Sequence, residues 1–323
     1  MKKLLNIVIF VLIIVLLFII IYPQYQISKV HELKIGIDPS LNSEIVRLAK
    51  KMNPEKKYKL RITTINYNEP KNAFLALKNK EIDVAILPWF FILSKQNNIS
   101  EFAKAMMVTQ YKPTKTFFGI VGKGKEVPLK ELLKKKIIGI LSFYEDDLIL
   151  LYKHLGIPEQ YRKYKKGTEK ELINLYKEGK VDALLIPEPF LTDYLKDMDL
   201  LYKSPFSKDI STPYPGVGYF LRKKIAEKKS YIAFRFRVLC NDILRNIGKD
   251  RDSVKTVIAK NRNMTLDNFS SIHLPDWYKI EEVEHFKGLT IEPFLARTSI
   301  TVESKLSDIK TKDLFYQPAE LTE

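Results

Sequence analysis

The chain has 323 residues, with 54 Lys and Arg against 38 Asp and Glu, 46% hydrophobic residues and a single cysteine. That apolar content excludes a disordered chain, and one cysteine with no Cys/His cluster excludes both an internal disulfide and a structural zinc site. The net charge of +16 comes from 44 lysines and only 10 arginines, scattered in short runs such as Lys134-Lys135-Lys136; nucleic-acid readers concentrate charge on one face and lean on arginine, so no nucleic-acid partner is expected.

In chain order, Met1-Lys2-Lys3 leads into an apolar run from Leu4 to Ile21, eighteen residues broken only by Asn6. As a helix at about 1.5 Å per residue it spans about 27 Å, close to the hydrocarbon core of a bilayer. Tyr22-Pro23-Gln24-Tyr25-Gln26 follows, with no small-residue cleavage site and no cysteine for lipid attachment. Residues 1–29 therefore read as an uncleaved signal anchor and stalk, with a cleaved signal as the alternative. Lys2 and Lys3 put the N-terminal end in the cytoplasm, and either reading puts the rest outside it, in the periplasm or at the cell surface.

Short β-branched runs then alternate with amphipathic stretches. Leu33 to Ile37 reads as a strand, Ser43 to Met52 as a helix, Lys59 to Ile65 as a strand and Lys71 to Leu77 as a helix opened by Pro70. Ile82 to Leu87 is a buried strand ended by Pro88. A β-α-β-α-β order implies a parallel sheet with right-handed crossovers.

The pattern then recurs. Lys136 to Leu141 echoes Lys34 to Ile37, and Lys78–Pro88 (KNKEIDVAILP) echoes Lys177–Pro187 (KEGKVDALLIP), with Asp83 and Asp182 99 residues apart. Two similar α/β lobes are expected, at 30–113 and 114–215, with 216–323 returning to the first lobe and ending in a helical region. Tyr111-Lys112-Pro113-Thr114 before a strand at Thr116–Val121, and Ser211-Thr212-Pro213-Tyr214-Pro215-Gly216 before a strand at Val217–Leu221, supply the two extended crossings a hinge needs. Ile225 to Ile247 reads as one long helix.

No nucleophile, base and oxyanion donor come together in this sequence, so no enzymatic activity and no cofactor or metal are expected. His31, His154, His273 and His285 stand in no metal-ligand spacing, and Cys240 reads as core. Glu145-Asp146-Asp147 sits at a helix start, where acids complement the dipole; a ligand role is the alternative. A cleft does assemble. In open parallel sheets, ligands bind beyond the carboxyl ends of the strands, and the loops there hold Ser40, Asn42, Tyr67, Trp89, Ser142, Tyr144 and Glu188, with Tyr214 at the second crossing. These eight are the expected ligand-binding residues, Trp89 having simple packing as its competing role.

Gly36 in the opening strand, Ala73–Leu77 followed by Glu81-Ile82-Asp83-Val84-Ala85, and Lys180-Val181-Asp182-Ala183 leading to Glu188-Pro189-Phe190 resemble the nitrate/sulfonate/taurine group of ABC-transporter substrate-binding proteins. That group includes binding proteins for thiamine-precursor pyrimidines and relatives of a pyrimidine synthase. The resemblance spans roughly residues 33–222 and implies a two-lobed periplasmic-binding-protein-like fold of type II. It implies a small molecule trapped between the lobes for an ABC permease, and a monomer is expected. Alternatives from other classes are a pyrimidine-synthase-like enzyme and the sensing domain of a membrane partner. This chain departs from the pattern in its own helical anchor and in the short Pro39-Ser40-Leu41-Asn42 loop. Its loop chemistry leaves two ligand types open: a planar, nitrogen-bearing molecule bonded to Glu188, or a nitrate- or sulfonate-like anion.

Overall fold

The computed structural model describes residues 2–95, 97–210, 213–265, 271–278 and 314–316. Helix α1 (Lys2–Ser28) carries the apolar run and continues through Pro23. Its Asn6–Ser28 stretch is long and apolar enough to cross a membrane, and none of it is buried against the rest of the chain.

The first lobe runs β1 (His31–Ile37), α2 (Glu44–Lys51), α3 (Pro54–Tyr58), β2 (Leu60–Asn66), α4 (Pro70–Lys78), β3 (Val84–Pro88), α5 (Trp89–Lys95) and β4 (Ala103–Tyr111). The second runs β5 (Phe118–Gly122), α6 (Leu129–Lys135), β6 (Ile138–Leu141), α7 (Glu145–His154), β7 (Tyr164–Gly167), α8 (Glu169–Lys177), β8 (Ala183–Pro187), α9 (Phe190–Tyr194) and β9 (Asp199–Lys203). The chain then returns through β10 (Tyr214–Arg222), α10 (Lys223–Lys228), α11 (Ser230–Lys249), α12 (Arg251–Asn261) and β11 (Asp276–Tyr278). The long helix expected over Ile225–Ile247 is two helices. Lys229 leaves helical geometry, and its carbonyl accepts from Ile232 N–H at 2.8 Å to start α11.

Two sheets result, ordered β11-β4-β10-β3-β1-β2 and β7-β6-β8-β5-β9. In each, a central strand pairs in parallel with two neighbours: β1 with β2 and β3, β6 with β7 and β8. In each, the strand that follows a crossing enters antiparallel, β10 beside β3 and β4, β5 beside β8 and β9. Every residue of β3 and β8 is buried, as expected of central strands covered on both faces.

The 99-residue echo is a structural repeat. Asp83 accepts the Lys34 N–H at 2.9 Å and donates its own N–H to the Lys34 carbonyl at 2.7 Å. Asp182 does the same to Ile137, at 2.7 and 2.8 Å. Each aspartate clamps the start of the strand that follows it to its lobe's central strand, at the middle of β1 in the first lobe and just before β6 in the second, satisfying a backbone donor there. The turn before each aspartate needs a left-handed residue, Lys80 at φ 67° in one lobe and Gly179 at φ 69° in the other.

Beyond residue 250, the described segments pack on the first lobe. β11 pairs with β4, Ile272 and Leu274 are buried, and Phe315 bridges to Ala105. Ser211, Thr212, His285 and most of the tail after 278 lie outside the described residues.

Candidate functional site

The parallel strands of both sheets end at the seam between the lobes, and the loop after β1 is the polar centre of that seam. Asp38, Ser40, Asn42, Ser43 and Glu44 are all completely buried. The sequence Asp-Pro-Ser-Leu-Asn-Ser folds on itself there. Ser40 has extended backbone and caps a 3-10 turn over Leu41–Ser43, its hydroxyl accepting the Asn42 N–H at 3.1 Å. Asp38 Oδ2 accepts the Ser40 N–H at 3.1 Å and the Ser40 hydroxyl, while Oδ1 accepts the Ser43 hydroxyl. Ser43 Oγ in turn accepts the Asp38 N–H at 2.9 Å.

The other lobe completes this network. Tyr144 follows β6 in the turn Ser142–Tyr144, and its hydroxyl lies 2.9 Å from both Asp38 Oδ2 and Ser40 Oγ. The Asn42 amide nitrogen donates among Tyr111 at 2.7 Å, Ser40 at 2.9 Å and Tyr144 at 3.0 Å. Asn42 Oδ1 accepts from Thr109 at 3.2 Å, and its carbonyl accepts the Tyr219 hydroxyl and, at 3.3 Å, the Trp277 indole N–H. A backbone bond also crosses the seam, from the Leu41 N–H to the Glu188 carbonyl at 3.4 Å. Most buried polar groups are hydrogen-bonded, and here the partners come from both lobes.

Aromatic rings surround the network. Tyr111 stacks on Phe117 at 4.5 Å and meets Phe118 edge-on at 5.2 Å. Phe118 meets Tyr144 at 5.0 Å and Phe206 at 4.9 Å, and Phe206 stacks against Tyr214 at 5.3 Å. The Tyr214 hydroxyl donates to Asp147 Oδ1, while Asp147 Oδ2 is buried without a partner among the described residues. Burial raises the Asp147 carboxyl to about 7 and pushes the hydroxyls of Tyr111, Tyr144, Tyr214 and Tyr219 well above their usual range, which keeps them neutral donors.

The cations closest to the loop serve its backbone. Arg47 donates to the carbonyls of Asp38 at 2.8 Å and Ser40 at 3.1 Å; Arg262 donates to those of Pro39 at 3.1 Å and Ser40 at 2.9 Å. Both also bond Glu44 Oε1, at 2.8 and 2.6 Å. The two guanidiniums hold the loop's shape from behind and neutralise the buried glutamate.

The sequence matches no protein-family model and no curated protein. Solved structures do match. The ligand-binding component of an ABC-type import system from Staphylococcus aureus, solved with zinc bound, shares 19% identity at a TM-score of 0.64, covering 89% of this chain and 97% of its own. The periplasmic aliphatic sulphonate binding protein of Escherichia coli shares 13% identity at 0.63, covering 89% and 98%. The periplasmic nitrate-binding protein of Synechocystis shares 10% at 0.57, covering 91% and 93%. The chain has the periplasmic-binding-protein fold. Its structural neighbours include the sulfonate, nitrate and ABC-import binding proteins that the sequence resembles.

Within that fold, three of the eight expected residues meet directly: Ser40, Asn42 and Tyr144. Tyr214 lies parallel to the network's Tyr111 at 6.2 Å, and its own hydroxyl bonds Asp147 beside the network. Glu188 reaches the seam with its carbonyl, whereas its carboxylate turns back onto Thr192, accepting the N–H at 3.1 Å and the hydroxyl at 2.8 Å. Burial raises that carboxyl to about 7. Ser142 is half-buried and begins the turn that carries Tyr144.

Trp89 and Tyr67 stand apart from this network. The Trp89 ring is completely buried in the first lobe, 5.3 Å from Phe220 and 5.6 Å from Phe315, in space that Gly218 leaves open. Tyr67 is half-buried over Gly36, where a Cβ would come within 3.0 Å of its ring. Sequence reasoning missed Asp38 and Tyr111 as members and favoured helix capping over a ligand role for Asp147. Asp38 carried a signal, an acid followed by two serines and an asparagine directly after a buried strand. Tyr111 carried none, because its partner lies 69 residues away.

Proposed function

We propose that this chain is an extracytoplasmic solute-binding protein, held at the membrane by α1, that closes its two lobes on a small molecule and presents it to an ABC importer. The observation that carries this reading is the Tyr144 hydroxyl of one lobe bonded to Asp38, Ser40 and Asn42 of the other. A ligand that bridges those groups stabilises the closed state by its differential contacts, and closure changes the surface a permease meets. The sulfonate-, nitrate- and import-system binding proteins among the structural neighbours support it.

The ligand we propose is the planar, nitrogen-bearing type. The groups gathered at the seam are carboxylates, hydroxyls and one amide, and the two nearby guanidiniums are spent on carbonyls and Glu44. A ligand with N–H donors suits Asp38 and the Asp147 oxygen that has no partner among the described residues, and a ring suits the aromatic surround. Bidentate cation contacts of the kind that hold nitrate or a sulfonate are not offered by Arg47 or Arg262 in this geometry. Isothermal calorimetry of the chain with aminopyrimidines, nitrate, taurine and alkanesulfonates tests it. Aminopyrimidine binding that weakens at least about tenfold in Asp147→Asn is expected. Tight sulfonate or nitrate binding indifferent to Asp147→Asn and Glu188→Gln refutes the ligand assignment, and no closure-linked binding of any small molecule refutes the receptor.

A further inference from the structure

The sequence scatters its lysines, but the fold gathers some of them around the end of α1. That helix runs unbroken to Ser28, and β1 begins at His31. Arg235 on α11 donates to the Ile27 carbonyl, and the His31 ring donates to the Gln26 carbonyl at 2.6 Å. No stalk separates membrane helix from folded domain. From Ile21, the last residue of the apolar run, to Ser28 the helix rises only about 10 Å, and a headgroup layer takes up about 5–8 Å of that. Tyr22 and Tyr25 are exposed in the stretch where interfacial aromatics sit.

The face beside the end of α1 is formed by the amino ends of β1 and β3, the carboxyl end of β10, the turn after α4, and α10. Lys78, Lys80, Lys224, Lys228 and Lys229 are exposed there, and none pairs with an acid among the described residues. Of the other cations on this face, Arg222 pairs with Asp83 and Lys223 with Glu227 at 3.8 Å, while Lys34 is exposed at the groove edge without an ion pair among the described residues. Two grooves of about 300 and 280 Å³ open on this face, both bordered by Lys80 and Arg222, with eight lysines and arginines to five acids between them.

We propose that the base of the first lobe lies on the membrane and binds anionic lipid headgroups through these lysines. The proposal rests on α1 being a retained membrane helix, and is independent of which solute the cleft takes. Each lysine held near an anionic surface multiplies the affinity roughly fivefold, and tethering by α1 makes the contact intramolecular, so a modest patch suffices. The consequence for transport is geometric. The seven residues of β1 raise the seam by about 23 Å at roughly 3.3 Å per residue, so the first lobe is the fixed partner and the second lobe swings.

The test uses the full chain in vesicles, carrying a nitroxide at Lys228→Cys or, as a control on the second lobe, at Lys134→Cys; the native Cys240 is buried and stays unlabelled. In vesicles with about 30% phosphatidylglycerol, collision of the residue-228 label with an aqueous nickel chelate should fall at least about threefold relative to pure phosphatidylcholine, recover in about 0.5 M salt, and leave the residue-134 label unchanged. Adding Lys80→Glu, Lys224→Glu and Lys229→Glu should abolish the protection. Equal accessibility in both lipids, or protection that survives salt and the charge reversals, overturns the proposal alone. Release of the chain from vesicles by alkaline carbonate overturns the anchor, and the proposal with it.

Discussion

The two lobes share one frame and differ at one end of it. At the amino ends of the strands they are near copies: Asp83 and Asp182 make the same pair of bonds to Lys34 and Ile137, and β1 and β6 hold the same place among their neighbours. At the carboxyl ends they part. The first lobe follows its central strand with Asp38, Ser40, Asn42 and Ser43, a buried polar loop; the second follows its own with Ser142, Phe143 and Tyr144, a loop dominated by rings. Repetition at the base belongs to folding, since a central strand's donors beside the start of a neighbouring strand must still find acceptors. Divergence at the top belongs to the site, since one lobe supplies a carboxylate and amide and the other reaches across with a hydroxyl.

The largest expected effect lies with the acids of the second lobe's rim. The carboxyls of Asp147 and Glu188 are raised by burial to about 7, against about 4 in an unfolded chain. Between those values the folded protein holds more protons than the unfolded one. Their contribution to stability is therefore greatest at about pH 4, falls as pH rises toward 7, and levels off above it. At about 1.4 kcal/mol per pH unit, that window is worth about 4 kcal/mol for Asp147 and about 3 kcal/mol for Glu188. Thermal unfolding compared between pH 5 and pH 8 should show wild-type losing more than Asp147→Asn or Glu188→Gln; parallel curves would show that neither acid holds a proton in the folded state.

Exchanging the partners of the cross-lobe bond comes next. Asp38→Ala strands the hydroxyls of Ser40, Ser43 and Tyr144 and should cost about 3 kcal/mol in urea unfolding, whereas Tyr144→Phe removes one donor and should cost about 1 kcal/mol. The smaller change should nevertheless weaken lobe closure, read as a larger radius of gyration by X-ray scattering. Equal stability losses would mean that the loop's own folding does not depend on Asp38.

The smallest effect probes the repeat. Gly179→Ala meets nothing within 4 Å, so its cost is the left-handed backbone alone, about 1 kcal/mol. Lys80→Gly at the matching turn should instead gain about 0.5 kcal/mol, the relief of φ 67° less the added freedom of the unfolded chain. Same-sign changes at the two positions would break the equivalence of the turns.

Much of the fold was legible because it is written in local patterns. β-branched runs, helix openings at Pro70 and at Glu145-Asp146-Asp147, and the Asp–strand–Pro echo are short-range signals, and the strands lie within a few residues of where those signals put them; β5, for instance, begins at Phe118 rather than Thr116. Breaking one helix into α10 and α11 was not legible, since Lys229 is an ordinary helix former in its local sequence. The seam divides in the same way. Ser40, Asn42 and Tyr144 were marked by lying in carboxyl-end loops, which the strand assignments alone locate. Whether a residue in such a loop turns inward to the seam or back into its own lobe was not marked: Trp89 fills a gap left by Gly218, and the Glu188 carboxylate is captured by Thr192 four residues on.

By itself, then, the sequence determined the alternation of elements, the repeat, the apolar helix and the loops at the carboxyl ends of the strands, because periodicity and turn chemistry act over a few residues. Only the tertiary structure decided that Asp38, Tyr111 and Tyr144 converge on Asn42, that Arg47 and Arg262 are spent behind the loop, and that lysines from positions 78–80 and 224–229 share one face beside α1. Those outcomes depend on strand order and on packing between segments far apart in the chain, and burial there rewards the arrangement as a whole, with no local preference of any single residue to announce it.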